Sequence, residues 1–180
     1  MGHYARLPCC CNRSMLVMIA GLPGTGKSTV AAQLAKTPGG VIVSKDVIRH
    51  ALFGPNRVEY SSEQDDFCLK IMLQSAAYLL RRNPNELVIL DGRTFSRQYQ
   101  RDRVLQTGFP CKIVECVCSE ATAIARIERD AFLHSHPAQN RDAALYHRVK
   151  SAYQPIQEPK LVVDTGQPIP ESLYSNFRVS

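Results

Sequence analysis

Gly21-Leu22-Pro23-Gly24-Thr25-Gly26-Lys27-Ser28-Thr29 matches the phosphate-loop spacing G-x-x-x-x-G-K-[ST] at every fixed position. Glycine accepts the positive backbone angles that let a chain wrap closely around a polyphosphate. The N–H groups of Gly24 to Ser28 are expected to face phosphate oxygens, with the positive end of the following helix behind them. Gly21, Pro23, Gly24, Thr25, Gly26 and Thr29 then shape the cradle, Lys27 bridges the terminal phosphates and Ser28 holds Mg2+. The flanks agree with this. Met15 to Ala20 is an apolar run suited to a buried parallel strand, and Thr29 to Lys36 reads as a helix. The stretch predicts a bound nucleoside triphosphate.

The 180 residues are read as a flexible tail, 1–14, followed by one domain over 15–180, a length that supports a real core. At 44% hydrophobic and 21% charged the chain is ordinary for a globular protein, and no apolar run approaches the roughly 20 residues of a membrane span. A net charge of +6 suits an anionic partner without choosing between a nucleotide, a sugar phosphate and a nucleic acid. The seven cysteines form no repeated C-x-x-C pairs and no secretory signal is read, so reduced thiols in the cytoplasm are expected. Cys9-Cys10-Cys11 falls in the tail, where Arg6 stands in place of the hydroxyl residue of a myristoylation signal.

Further along, Pro38-Gly39-Gly40 breaks the chain and Val41 to Val43 is a short strand, expected next to the phosphate-loop strand. Ser44-Lys45-Asp46-Val47-Ile48-Arg49 opens a helix with Asp46 and Arg49 one turn apart, at the strand end where open α/β sheets bind ligands. Ser61 and Gln64 resemble a capping box for a long helix to about Arg82, with Phe67, Ile71, Met72, Leu79 and Leu80 as its apolar face. Leu87 to Asp91 is an unbroken apolar run closing on a carboxylate, as in a strand buried on both faces.

Arg93, Arg97, Arg101 and Arg103 follow. A charge run is usually a solvated face, but this one begins beside Asp91, so Arg93 and Arg97 join Asp46, Arg49 and Asp91 as substrate-binding candidates, with Arg101 one turn beyond Arg97. Cys111 to Cys118 is the next strand, its Cys116 and Cys118 read as core, and Ser119 caps a helix to Phe132. His134 and His136 are read as loop residues rather than metal ligands. A helix over 142–153, a strand over 160–164 and a short C-terminal helix complete the chain. Five strands alternating with helices predict a three-layer α/β sandwich with a parallel sheet, right-handed crossovers and a short lid.

The strand ending at Asp91 continues with Gly92, where a hydrolase of the AAA+ type carries Glu to activate water, and neither a guanine reader nor its switch motif is present. Phosphoryl transfer to another acceptor remains, and it requires positioning, charge neutralisation and a base. Asp46 suits the base and Arg49 a contact to substrate phosphate. Asp91 suits Mg2+ through water, and Lys27 the neutralisation of the terminal phosphate. Arg126, Arg129 and Arg141 are expected on a mobile basic flap that covers ATP and expels water.

Together, the phosphate loop, Ser44-x-Asp46-x-x-Arg49, Leu90-Asp91-Gly92, the arginines Arg126 and Arg129, and Glu158-Pro159 before Val163-Asp164-Thr165 resemble the P-loop kinases grouped around polynucleotide 5′-hydroxyl kinases and zeta toxins. The resemblance spans Leu16 to Thr165. It implies that Asp46 is the general base and that Arg49 contacts substrate phosphate. The fold is similar to that of adenylyl-sulfate, gluconate and chloramphenicol kinases, so the resemblance constrains the reaction more than the acceptor. The departures expected are a short lid and the lack of the phosphatase or ligase domain that many end-repair enzymes carry.

The expectation is an ATP- and Mg2+-dependent kinase acting on a hydroxyl of a small molecule, one that can itself be phosphorylated. A polynucleotide 5′-hydroxyl kinase is the enzyme alternative, set behind because no basic, aromatic-interleaved stripe is present. A non-catalytic nucleotide-binding regulator is the alternative of another class. Oligomeric state and the choice of ATP over GTP are not legible in the residues.

Overall fold

The computed structural model describes residues 14–133, 142–175 and 177. The tail with Cys9 to Cys11, the histidines His134 and His136, and Arg141 lie outside the described residues.

Five parallel strands, β1 (Met15–Ala20), β2 (Gly40–Ser44), β3 (Leu87–Asp91), β4 (Cys111–Val117) and β5 (Lys160–Asp164), form one sheet in the order β2-β3-β1-β4-β5. Among the described residues seven α-helices accompany them: α1 (Lys27–Leu34), α2 (Lys45–Phe53), α3 (Ser62–Arg82), α4 (Gln98–Leu105), α5 (Glu120–Phe132), α6 (Ala143–Ser151) and α7 (Ser172–Ser175). Strand side chains alternate between faces, and the central strands feed two cores. Leu16, Met18, Val88 and Leu90 pack with Leu69 and Met72 of α3 and Val104 of α4, whereas Val17, Ile19, Leu87 and Ile89 pack with Val30 and Leu34 of α1 and Leu173 of α7. This is the parallel α/β sandwich expected.

The order of the strands corrects one expectation: β2 is not next to β1, because β3 lies between them. All five residues of β3 are buried, whereas Ile42 of β2 is 37% exposed. β3, with four large apolar residues before Asp91, takes the position covered on both faces, and β2, of equal length but bounded by Gly40 and Ser44, takes the edge. Asp46 therefore reaches the site from an edge strand, two strands from the phosphate loop.

Helix boundaries shift for local reasons. The phosphate loop runs straight into α1 at Lys27, without the turn that a start at Thr29 implies. Ser61 Oγ caps α3 by accepting from Gln64 N at 3.1 Å, but the Gln64 side chain accepts from Glu59 N instead of closing the box on Ser61. The buried stripe of α3 is Cys68, Leu69, Met72, Ala76 and Leu80, rotated from the predicted one. Phe67 is 47% exposed and meets Phe53 of α2 edge to face.

Candidate active site

Every strand of a parallel sheet ends on the same side, and there the loops after β1, β2 and β3 enclose a cleft of about 1100 Å3. Gly24, Lys27, Ser28 and Thr29 line one end, and Lys45, Asp46, Arg49, Arg93 and Arg97 line the other.

At the phosphate-loop end Gly24 has φ +76, and a Cβ there would stand 2.3 Å from the Ala123 carbonyl oxygen. Only glycine lets the loop lie against α5. Lys27 Nζ donates to the carbonyls of Gly21 (3.0 Å) and Leu22 (2.7 Å), both on the loop itself. Arg126 is not loose on a flap: its guanidinium donates to Thr165 Oγ1 (3.0 Å) and to the Thr165 carbonyl (2.7 Å). Thr165 Oγ1 in turn donates to the Thr25 carbonyl at 3.0 Å. Arg126 thus fastens α5 and the end of β5 to the loop, while Arg129 lines the cleft. Asp91, at the tip of β3, is buried, and its Oδ1 has no hydrogen-bond partner among the described residues.

At the other end Asp46 and Arg49 share one face of α2, with Arg49 Nη1 3.5 Å from Asp46 Oδ1. Arg49 is buried, pairs with Asp65 of α3 and lies over the Tyr60 ring at 5.0 Å. Lys45 Nζ sits 3.0 Å from Asp65 and 3.8 Å from Asp46. Burial pushes the Lys45 ammonium down to about 8, with Arg49 and Arg93 adding to the fall and Asp46 opposing it. Arg93 Nη2 donates to Asp66 Oδ1 at 2.7 Å, and its Nη1 is 3.8 Å from Asp65 Oδ2. Arg97 is exposed on the rim, and its side chain forms no ion pair among the described residues.

Gly92 connects these features. Its φ is +84, and a Cβ there would come within 3.1 Å of Lys45 N and 3.2 Å of Asp46 N. The absence of a side chain after Asp91 lets the first turn of α2 close onto the end of β3, which brings Asp46 to the cleft.

Arg101 leaves the group of substrate candidates. It is fully buried, and its guanidinium donates to the carbonyls of Phe95 (3.1 Å), Gln154 (3.1 Å) and Pro155 (3.2 Å). The Phe95 backbone is at φ +49 with its ring in the core. Arg101 holds that turn, from which the Thr94 carbonyl accepts from Gly21 N and the Ser96 carbonyl from Gln154 N.

Lys45, Tyr60 and Asp65 belong to the cleft without any sequence signal of a role there, and Thr165, marked in the sequence only as part of the family resemblance, lines it too. Asp65 reads locally as first-turn acidity of a helix, and only the fold brings it against Lys45, Arg49 and Arg93.

A family model described as an AAA domain matches residues 16–155. Among solved structures, a candidate kinase from Chloroflexus aurantiacus J-10-fl is similar with a TM-score of 0.72 and 23% identity over 92% of this chain and 96% of that one. The APS kinase of Mycobacterium tuberculosis, solved with AMPPNP and APS, gives a TM-score of 0.65 and 19% identity over 91% and 95%. A gluconokinase from Sinorhizobium meliloti 1021 gives 0.62 and 15% identity over 89% and 87%. At these identities the likeness is one of fold, an α/β fold shared with these kinases. No curated protein matches the chain. No helix among the described residues is long and apolar enough to cross a membrane.

Proposed function

The chain belongs to the AAA domain family, and on that premise we propose that it is an ATP- and Mg2+-dependent kinase acting on a hydroxyl of a small molecule. One observation carries the reading: a buried carboxylate, Asp46, lines the same cleft as Lys27 and Ser28 of the phosphate loop. A hydrolase needs no acid at the far end of that cleft.

Mg2+ suits the residues present. Asp91 offers a buried oxygen without a partner among the described residues, and Ser28 a hydroxyl on the cleft wall. When bound, the ion neutralises charge on the nucleotide's phosphates.

The chain's own residues supply the rest. Backbone N–H groups of residues 24–28 hold the phosphates, and Lys27 turns from the Gly21 and Leu22 carbonyls to the terminal phosphate. Asp46 accepts the acceptor's hydroxyl proton as that oxygen bonds to phosphorus and the bond from phosphorus to the ADP oxygen breaks. Arg49 and Lys45 hold the Asp46 carboxylate in place, while Arg126 and Arg129, together with Arg141, meet charge on the nucleotide side. The narrower grouping with polynucleotide 5′-hydroxyl kinases and zeta toxins is part of this proposal, with nucleic acid as the less favoured acceptor.

The test is transfer of labelled terminal phosphate from ATP to a panel of sugars, sugar phosphates, nucleosides and a 5′-hydroxyl oligonucleotide, with Lys27→Ala as the blank. Transfer to a small molecule supports the reading, and turnover on the oligonucleotide alone moves the acceptor class to nucleic acid. ATP binding that survives Asp46→Ala with no acceptor found identifies a nucleotide-binding regulator instead.

A further inference from the structure

The acceptor end of the cleft is short of acid. Lys45, Arg49, Arg93 and Arg97 line it with the carboxylates Asp46 and Asp65, and Asp66, outside the lining, pairs with Arg93 and Arg103. Each of these carboxylates is already divided between cations. Asp65 takes Lys45 and Arg49 and lies within reach of Arg93, while Asp66 takes Arg93 and Arg103 and also accepts from the Tyr99 hydroxyl. Arg97 is left without one among the described residues.

The hydrogen bonds tell the same story. Arg93 is only 4% exposed and lines the cleft, with one guanidinium nitrogen anchored on Asp66. Its Nε and Nη1 are buried without a hydrogen-bond acceptor among the described residues, as is Nε of Arg49. Buried donors in folded proteins are nearly always paired, so a buried guanidinium with open N–H groups on a cleft wall marks a missing acceptor group. Thr94 and Ser96 line the same stretch between Arg93 and Arg97; the Thr94 hydroxyl donates to Ser96 Oγ at 3.2 Å, which leaves the Ser96 hydroxyl as a neutral donor.

We infer that the acceptor carries an anionic group of its own, a phosphate ester, seated on Arg93 and Arg97 while Asp46 faces its hydroxyl. Lys45, Arg49, Arg93 and Arg97 against Asp46 and Asp65, four cations against two carboxylates, suit a dianion better than a carboxylate, and planar guanidinium groups suit phosphate oxygens. This deepens the kinase reading and rests on it, but the anion site can be tested without any phosphoryl transfer.

The experiment is calorimetric titration of inorganic phosphate into the full chain saturated with AMPPNP and Mg2+, so that the phosphate loop is already filled. One saturable phosphate site is expected, weakened about tenfold or more by Arg97→Ala and by Arg93→Gln, with acetate binding more weakly than phosphate. Arg97→Ala alters an exposed side chain without an ion pair, so it stays informative if Arg93→Gln fails to fold, and its AMPPNP affinity should equal that of the wild type. No saturable phosphate binding to the loaded protein, binding unchanged in Arg97→Ala, or acetate binding as tightly as phosphate would each overturn the inference. If the kinase reading fails, the acceptor panel stays silent while phosphate still binds. If only this inference fails, transfer proceeds without phosphate binding.

Discussion

Lys45 Nζ stands 3.0 Å from Asp65 Oδ1, tying the first turn of α2 to the first turn of α3 beneath the acceptor end of the cleft. Burial lowers the Lys45 pKa to about 8 from its ordinary 10.5, so above pH 8 the unfolded chain binds this proton more tightly than the folded one. Buried Lys45 therefore opposes folding below about pH 8, and the penalty lifts as the pH rises towards 10.5. Urea unfolding at pH 7.5 and pH 10 should show the wild type gaining stability relative to Lys45→Met at the higher pH. An unchanged difference would place the ammonium in solvent.

Arg101→Met should cost about 3–5 kcal/mol in urea unfolding, because it strips Glu158 of its buried cation and the Phe95 carbonyl of its buried donor and breaks the bonds to the Gln154 and Pro155 carbonyls. Arg101→Lys should recover little of this, since an ammonium cannot reproduce a planar fork that serves several carbonyls at once.

Gly92→Ala should lose about 1–2 kcal/mol from the left-handed backbone alone and more from contact with the first turn of α2. Because that turn carries Asp46, the rate of transfer should fall further than AMPPNP affinity does. Placing Glu at position 92 should not create an acceptor-free ATPase. Equal losses in rate and nucleotide binding would show that Gly92 serves the phosphate loop instead.

Thr165→Val keeps shape but removes the hydroxyl that joins Arg126 to the Thr25 carbonyl. Loss of one such bond is worth about 1 kcal/mol, so AMPPNP should bind roughly fivefold more weakly, with the phosphate affinity of the loaded protein unchanged. Calorimetry on the variant checks both values.

Much of the fold was written in local pattern. The apolar runs Met15 to Ala20 and Leu87 to Asp91 identify buried strands, and Ser61, Ser119 and Asp142 each mark a helix start that the structure keeps. The strand order was not local: placing β3 between β1 and β2 depends on which run needs cover on both faces. The site divides in the same way. The glycines and Lys27 are legible because phosphate binding uses consecutive residues, whereas Asp65 and Thr165 join the cleft only through α3 and β5. The arginines show the limit most plainly: Arg97 and Arg101 look alike in sequence, yet one is on the cleft rim and the other is locked in the core.

The most direct test of the central claim is acceptor-dependent ADP release by wild type and Asp46→Asn, each with its AMPPNP affinity measured. If Asp46 is the base of a kinase, the wild type releases ADP faster with the acceptor than without it, and Asp46→Asn loses about 100- to 10,000-fold in rate while still binding AMPPNP. Acceptor-dependent release by Asp46→Asn at the wild-type rate would contradict the claim.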